Sequence, residues 1–205
     1  MEENIYELFI DETLDMAGID AISIVENPAI EEDFIALKAS TVELASIDME
    51  KRILMGAALV PDKKILRRNA EGEYFIFFSK DTVRRASELF LMNGNQSNST
   101  LEHEVDVQGL TVVESWIIED EYTDKSRKYN MSLPVGTWMV SVKVNNDEIW
   151  NDYVKTGAVK GFSIEGFFTD NLDERPLESI EEYSSEELAA LETLKELTEI
   201  LSSIK

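Results

Sequence analysis

Apolar residues recur along this chain in short runs broken by turn residues, the pattern of strands rather than of long amphipathic helices. Residues 19–25, IDAISIV, read as a strand closed by the turn signal Glu26-Asn27-Pro28. Residues 53–60 read as a buried strand that Pro61-Asp62 ends, and Tyr74 to Phe78 as an aromatic strand after Glu71-Gly72. Asp81 to Met92 has the helical spacing: Val83, Ala86 and Phe90 share a face, and Asn93-Gly94 supplies a left-handed stop. Asn95 to Thr100 reads as a polar loop. Strands follow at Leu101 to Val105 and Leu110 to Ile118 around a turn at 106–109, then a charged loop from Glu119 to Lys128 and a strand from Thr137 to Val144. Asp147 is placed to cap a short helix carrying Ile149, Trp150, Tyr153 and Val154 and ending at Gly157, and Val159 to Thr169 reads as the last strand. Ser184 and Glu187 form a capping box for an amphipathic helix with Leu188, Leu191, Leu194, Leu197 and Leu201 on one side. Strands dominate the middle of the chain and helices decorate it, an α+β pattern.

Strand alternation sorts side chains. In the last strand Phe162, Ile164 and Phe168 share a core-like face, while Ser163, Glu165 and Phe167 share the other. If Val105 pairs with Leu110, His103 lies opposite Val112, and Glu114 becomes its diagonal neighbour roughly 7 Å away.

The chain has 205 residues, 43% of them hydrophobic, enough for one domain with appendages. No run reaches the roughly 18 apolar residues of a membrane span, and the opening MEENIYELF lacks the basic and apolar regions of a secretion signal. The expectation is a soluble cytoplasmic protein with no membrane partner. With no cysteine and a single histidine, disulfides, thiolate sites and multi-histidine metal sites are excluded. Phosphate-loop, dinucleotide and calcium-loop spacings are absent, so no cofactor and no metal is expected.

Net charge is −23, but its distribution says more. Residues 1–50 carry a net −13, residues 51–169 only −2, and residues 170–205 −8. Acidic segments flank a nearly neutral core, a division read as an N-terminal segment 1–18, a domain 19–169 and a C-terminal segment 170–205. Such a charge repels polyphosphate, which argues against nucleic acid as a partner, and its concentration at the ends argues against a DNA mimic. Acidic ends ordinarily solvate a chain; docking or assembly is their sharper use.

The chemistry left open is nucleophilic hydrolysis by serine. It needs a base within hydrogen-bond reach of the hydroxyl, and a histidine base can only be His103. For an acid that orients the imidazole, the pairing above puts Glu114 first and Glu165 second; a one-residue bulge would reverse that order.

The blocks NSTLEHE, LTVVESWIIED and GTWMVSVKVNNDEIWNDYVKTGAVKGFSIEGFF, with IDAISIVENPAIEEDFIAL and RILMGAALVPDK upstream, closely resemble the phage serine proteases of the XkdF-like family. That family is a branch of the prohead, or capsid maturation, proteases, which are similar in fold to herpesvirus assemblins. The resemblance spans about residues 19–169. It implies a β-rich, barrel-like core with flanking helices. It also implies that Ser163 is the nucleophile and His103 the base, the matching positions of the Gly-Phe-Ser and His-acid blocks. Assemblins use a second histidine as third member; this chain has none, so a carboxylate, a water or nothing takes that place, and the oxyanion donors stay unassigned. By the same resemblance the protein would work as a homo-oligomer in the host cytoplasm, inside the assembling procapsid. There it would cut scaffold or the major capsid protein or both, and itself, with the acidic ends as segments for packaging or self-removal and the Ser184 to Ile204 helix as a docking element or a helix folded back on the domain. The alternative is a head-assembly or scaffolding protein that keeps the fold without cutting.

Overall fold

A computed structural model of the chain describes residues 5–14, 17–29, 35–37, 51–69 and 72–170. Their strands are β1 (Ile5–Phe9), β2 (Gly18–Val25), β3 (Ile35–Leu37), β4 (Ile53–Leu59), β5 (Ile65–Asn69), β6 (Gly72–Phe78), β7 (Ser99–Leu101), β8 (Val105–Asp106), β9 (Leu110–Ile117), β10 (Trp138–Val144), β11 (Gly161–Phe167) and β12 (Thr169–Asp170). One α-helix, α1 (Lys80–Met92), lies between β6 and β7. The strands form three four-stranded sheets in the orders β12-β1-β6-β5, β3-β4-β10-β9 and β11-β2-β7-β8. The core is thus β-rich, as the apolar runs predict, but each sheet keeps two edge strands and none closes into a barrel. No helix among the described residues is long and apolar enough to cross a membrane.

The strands that hold the core read as continuous apolar runs because both faces are covered: β4 is buried from Leu54 to Leu59 and β10 from Trp138 to Val142. Aromatic rings join the layers edge to face, Phe90 of α1 on Trp138 at 5.4 Å and Phe78 on Phe168 at 4.8 Å. The helix begins where Ser79 accepts a hydrogen bond from the Thr82 N–H, and it buries Val83, Ala86 and Phe90, the face its spacing predicts. Gly94 sits at φ 79°, the left-handed conformation that ends the helical region.

Several local expectations change. The hairpin expected between residues 101–105 and 110–118 does not form: the chain reverses earlier, at residues 102–104, so that β7 pairs with β8, while β9 leaves for another sheet and pairs with β10. Asn146, not Asp147, caps the helical turn Ile149–Val154, its side-chain oxygen accepting from the Ile149 N–H at 3.1 Å; Asp147 instead pairs with Arg52. Residues 5–9, inside the acidic N-terminal segment, form a strand parallel to β6 with Leu8 fully buried. The expected helix from Ser184 to Ile204 lies outside the described residues.

Close approach of β11 to β2 depends on one glycine. The register slips between Glu165 and Gly166, and a Cβ on Gly166 would stand 2.0 Å from the Gly18 carbonyl oxygen. The slip lies beyond Glu165, so Ser163 and Glu165 keep the plain alternation that puts them on one face.

Candidate active site

Three adjacent strands bring the polar residues together. Ser163 of β11 is in register with Ser23 of β2, and Ser23 with Thr100 of β7, so their side chains form one row on one face. Glu165, two residues along β11, shares that face. The opposite face carries Phe162, Ile164, Ile22 and Ile24, all buried in the core.

His103 approaches from the turn between β7 and β8. The Leu101 carbonyl accepts from the Glu104 N–H at 3.0 Å, and the two residues between, Glu102 and His103, sit at φ 52° and 58°. Neither is glycine, asparagine or aspartate, so each carries a cost of roughly 1–2 kcal/mol that surrounding contacts must offset. They do so through β2. The Glu102 N–H donates to the Ile24 carbonyl at 3.1 Å, the His103 N–H to Ser23 Oγ at 3.1 Å, and the Glu26 N–H to the Glu102 carboxylate at 2.7 Å.

The turn aims the imidazole at Glu165. His103 Nδ1 lies 3.0 Å from Glu165 Oε1, and the Thr100 hydroxyl donates to the same oxygen. Both side chains are half-buried, His103 16% and Glu165 29% exposed. Burial pushes the Glu165 carboxyl up, but the hydrogen bonds from His103 and Thr100 and the charge of His103 outweigh it and hold the group below its ordinary value. Asp20 on β2 moves the other way, raised by burial and by the negative charge of Glu165.

Ser163 is 7% exposed and lies across β2 from the His103 turn. Among the described residues no hydrogen bond joins it to His103. Catalytic contacts of this kind commonly tighten only when substrate is bound. An apolar recess beside it is lined by Ala58, Leu59, Ile65, Phe78, Phe162 and Ile164, with Arg67 as its cation.

Glu114 stands elsewhere. Because β9 pairs with β10, its carboxylate accepts from Lys125 Nζ at 2.6 Å and Ser141 Oγ at 2.5 Å, and these bonds hold it below the usual carboxylate range. The structure therefore brings Glu165, the second choice from sequence, to His103, and carries Glu114, the first choice, into another sheet. The order reverses because the chain turns back at residues 102–104 and β9 pairs with β10 in another sheet, not because of a bulge. Ser23 and Thr100 escaped notice altogether. The one signal for Ser23 was a hydroxyl inside the apolar run ISIV, and Thr100 had none within a polar loop. Among the described residues no group of three or more histidine and carboxylate side chains is arranged to hold a metal ion.

A histidine held by a carboxylate is two thirds of the arrangement that serine hydrolysis uses, and Ser163 lies on the carboxylate's own strand. The profile of the family described as "Putative phage serine protease XkdF" matches residues 41–171, well over half of the chain. The chain belongs to this family. The match contains β7 to β11 and so all of His103, Ser163, Glu165 and Thr100, while Ser23 lies upstream of it. No curated protein and no solved structure matched the chain.

Proposed function

We propose that this XkdF-family chain is a serine endopeptidase of phage capsid maturation in which Ser163, His103 and Glu165 act together. The observation that carries the reading is the 3.0 Å contact between His103 Nδ1 and Glu165 Oε1, made on the strand that also bears Ser163. With Nδ1 donating to the carboxylate, Nε2 is the nitrogen that must take the serine proton once substrate brings the two together. Ser163 Oγ then attacks the scissile carbonyl carbon as its proton passes to Nε2, and Glu165 stabilises the imidazolium that forms. The tetrahedral intermediate collapses by expelling the amine, which takes the proton from Nε2. Water, deprotonated by the same nitrogen, hydrolyses the acyl-enzyme.

On this reading the substrates are the scaffold, the major capsid protein and the chain's own acidic ends, cut by a homo-oligomer within the procapsid in the host cytoplasm. The deep burial of Ser163 favours a second reading, a head-assembly protein that keeps the fold without cutting. Intact-mass analysis of the chain co-expressed with its capsid protein separates the two, wild type beside Ser163→Ala. Defined truncations that vanish in the variant support the protease. Full-length masses in both samples, with capsids assembling, support the non-cutting protein.

A further inference from the structure

We infer that two hydroxyls, Ser23 and Thr100, are positioning residues that hold His103 and Glu165 in register with Ser163; this rests on the serine-hydrolase reading above. Ser23 is fully buried between Ile22 and Ile24, a place where a hydroxyl is costly unless it is bonded. Both of its bonds go to the strand and turn that carry the base: its Oγ accepts the His103 N–H at 3.1 Å and donates to the Thr100 carbonyl at 3.4 Å. Ser23 is also the residue directly across the sheet from Ser163. One hydroxyl thus ties the backbone of the base to the strand beside the nucleophile.

Thr100 ties the side chains in the same way. Its hydroxyl donates to Glu165 Oε1, the oxygen that faces His103 Nδ1, so the carboxylate is fixed from β7 as well as from its own strand. The His103 turn needs such ties because it runs through two non-glycine residues at positive φ. Three consecutive N–H groups, of Glu102, His103 and Glu104, are each bonded, two of them to β2. Without Ser23 Oγ the His103 N–H loses its acceptor, and without the Thr100 hydroxyl the carboxylate can swing away from the ring.

The test uses the full chain, a small fluorophosphonate that modifies the reactive serine, and ¹⁵N spectra of His103, the only imidazole in the protein. Ser23→Ala and Thr100→Val should each lower the rate of Ser163 modification by about 10- to 100-fold, the range for a misplacement near 1 Å. The Nδ1–H tautomer of His103 should give way to a mixture in both. Thr100→Ser, which keeps the hydroxyl, should stay within about threefold of wild type, a rescue that a merely structural role does not require. Thr100→Val preserves volume, so it carries the comparison even if Ser23→Ala loses its cooperative melt. Wild-type rates and an unchanged His103 spectrum in both deletion variants would overturn the inference, as would Thr100→Ser falling as far as Thr100→Val. Failure of the underlying reading looks different: wild type then shows no modification, or modification that survives Ser163→Ala, and the inference falls with it.

Discussion

Glu165→Gln isolates the charge of the group that faces His103. Both hydrogen bonds to Glu165 arrive at one oxygen, Oε1, and a glutamine can present an amide oxygen in the same place to His103 Nδ1 and Thr100. Shape and hydrogen bonding are therefore kept, while the attraction between carboxylate and developing imidazolium is lost. With charge centres about 4 Å apart and an effective dielectric of about 20, that attraction is about 4 kcal/mol. The carboxylate is 29% exposed, and solvent screening reduces the figure to about 2–3 kcal/mol. At 1.36 kcal/mol per factor of ten, the rate of Ser163 modification by a fluorophosphonate should fall about 10²-fold, with the melting temperature little changed. Glu114→Gln, made in parallel, should leave that rate within about twofold, because its contacts are to Lys125 and Ser141 in another sheet. A Glu165→Gln protein that reacts at the wild-type rate would refute the reasoning. So would a Glu114→Gln protein that loses as much.

Other consequences follow from the same geometry. Gly166→Ala forces a Cβ to within 2.0 Å of the Gly18 carbonyl oxygen, so β2 and β11 must part; a loss of about 2–4 kcal/mol, seen as a melting temperature lowered by about 5–15 °C, is expected, and an unchanged melt would show that the bulge can absorb the methyl. Glu165 has a folded-state pKa below its ordinary value of 4.5, so its contribution to stability is complete above that value and is lost as the pH falls through the lowered one. Denaturation midpoints measured between pH 6 and pH 3 should accordingly decline less steeply in Glu165→Gln than in wild type; parallel declines would count against the contact. Trp138→Ala removes a fully buried ring that packs on Phe90 and should cost about 3–5 kcal/mol, read by denaturant titration, with a cost below 1 kcal/mol contradicting the packing described here.

How far the sequence revealed this arrangement depended on the range of the interaction concerned. The core face of β11, the helix with its Val83, Ala86 and Phe90 stripe, and the buried strands β2, β4 and β10 were legible because period and apolarity act locally. The partner of His103 was not, because it depends on where the chain turns. Gly109 resembles the turn residue of a hairpin, whereas the turn that forms passes through Glu102 and His103, neither of them a glycine, which are held at positive φ by β2. Once the reversal is displaced from residues 106–109 to 102–104, β9 is released to β10 and Glu114 goes with it. Strand β5 is not legible in the sequence for a different reason. Its run ILRRN has two arginines in place of alternation, and its pairing with β6 is a tertiary decision. In the acidic opening segment the run Ile5, Tyr6, Leu8, Phe9 and Ile10 is apolar, but it is short and flanked by acids, and that it pairs with β6 and buries Leu8 is a tertiary decision.

The central claim is that Ser163 is made nucleophilic by His103, which Glu165 holds in place. Peptide mapping of the chain after reaction with a fluorophosphonate tests it most directly, in wild type, Ser163→Ala and His103→Ala side by side. A single adduct on Ser163, absent from Ser163→Ala and nearly lost from His103→Ala while both variants still melt cooperatively, is the predicted result. No adduct in wild type, or one on a different serine, would contradict the account.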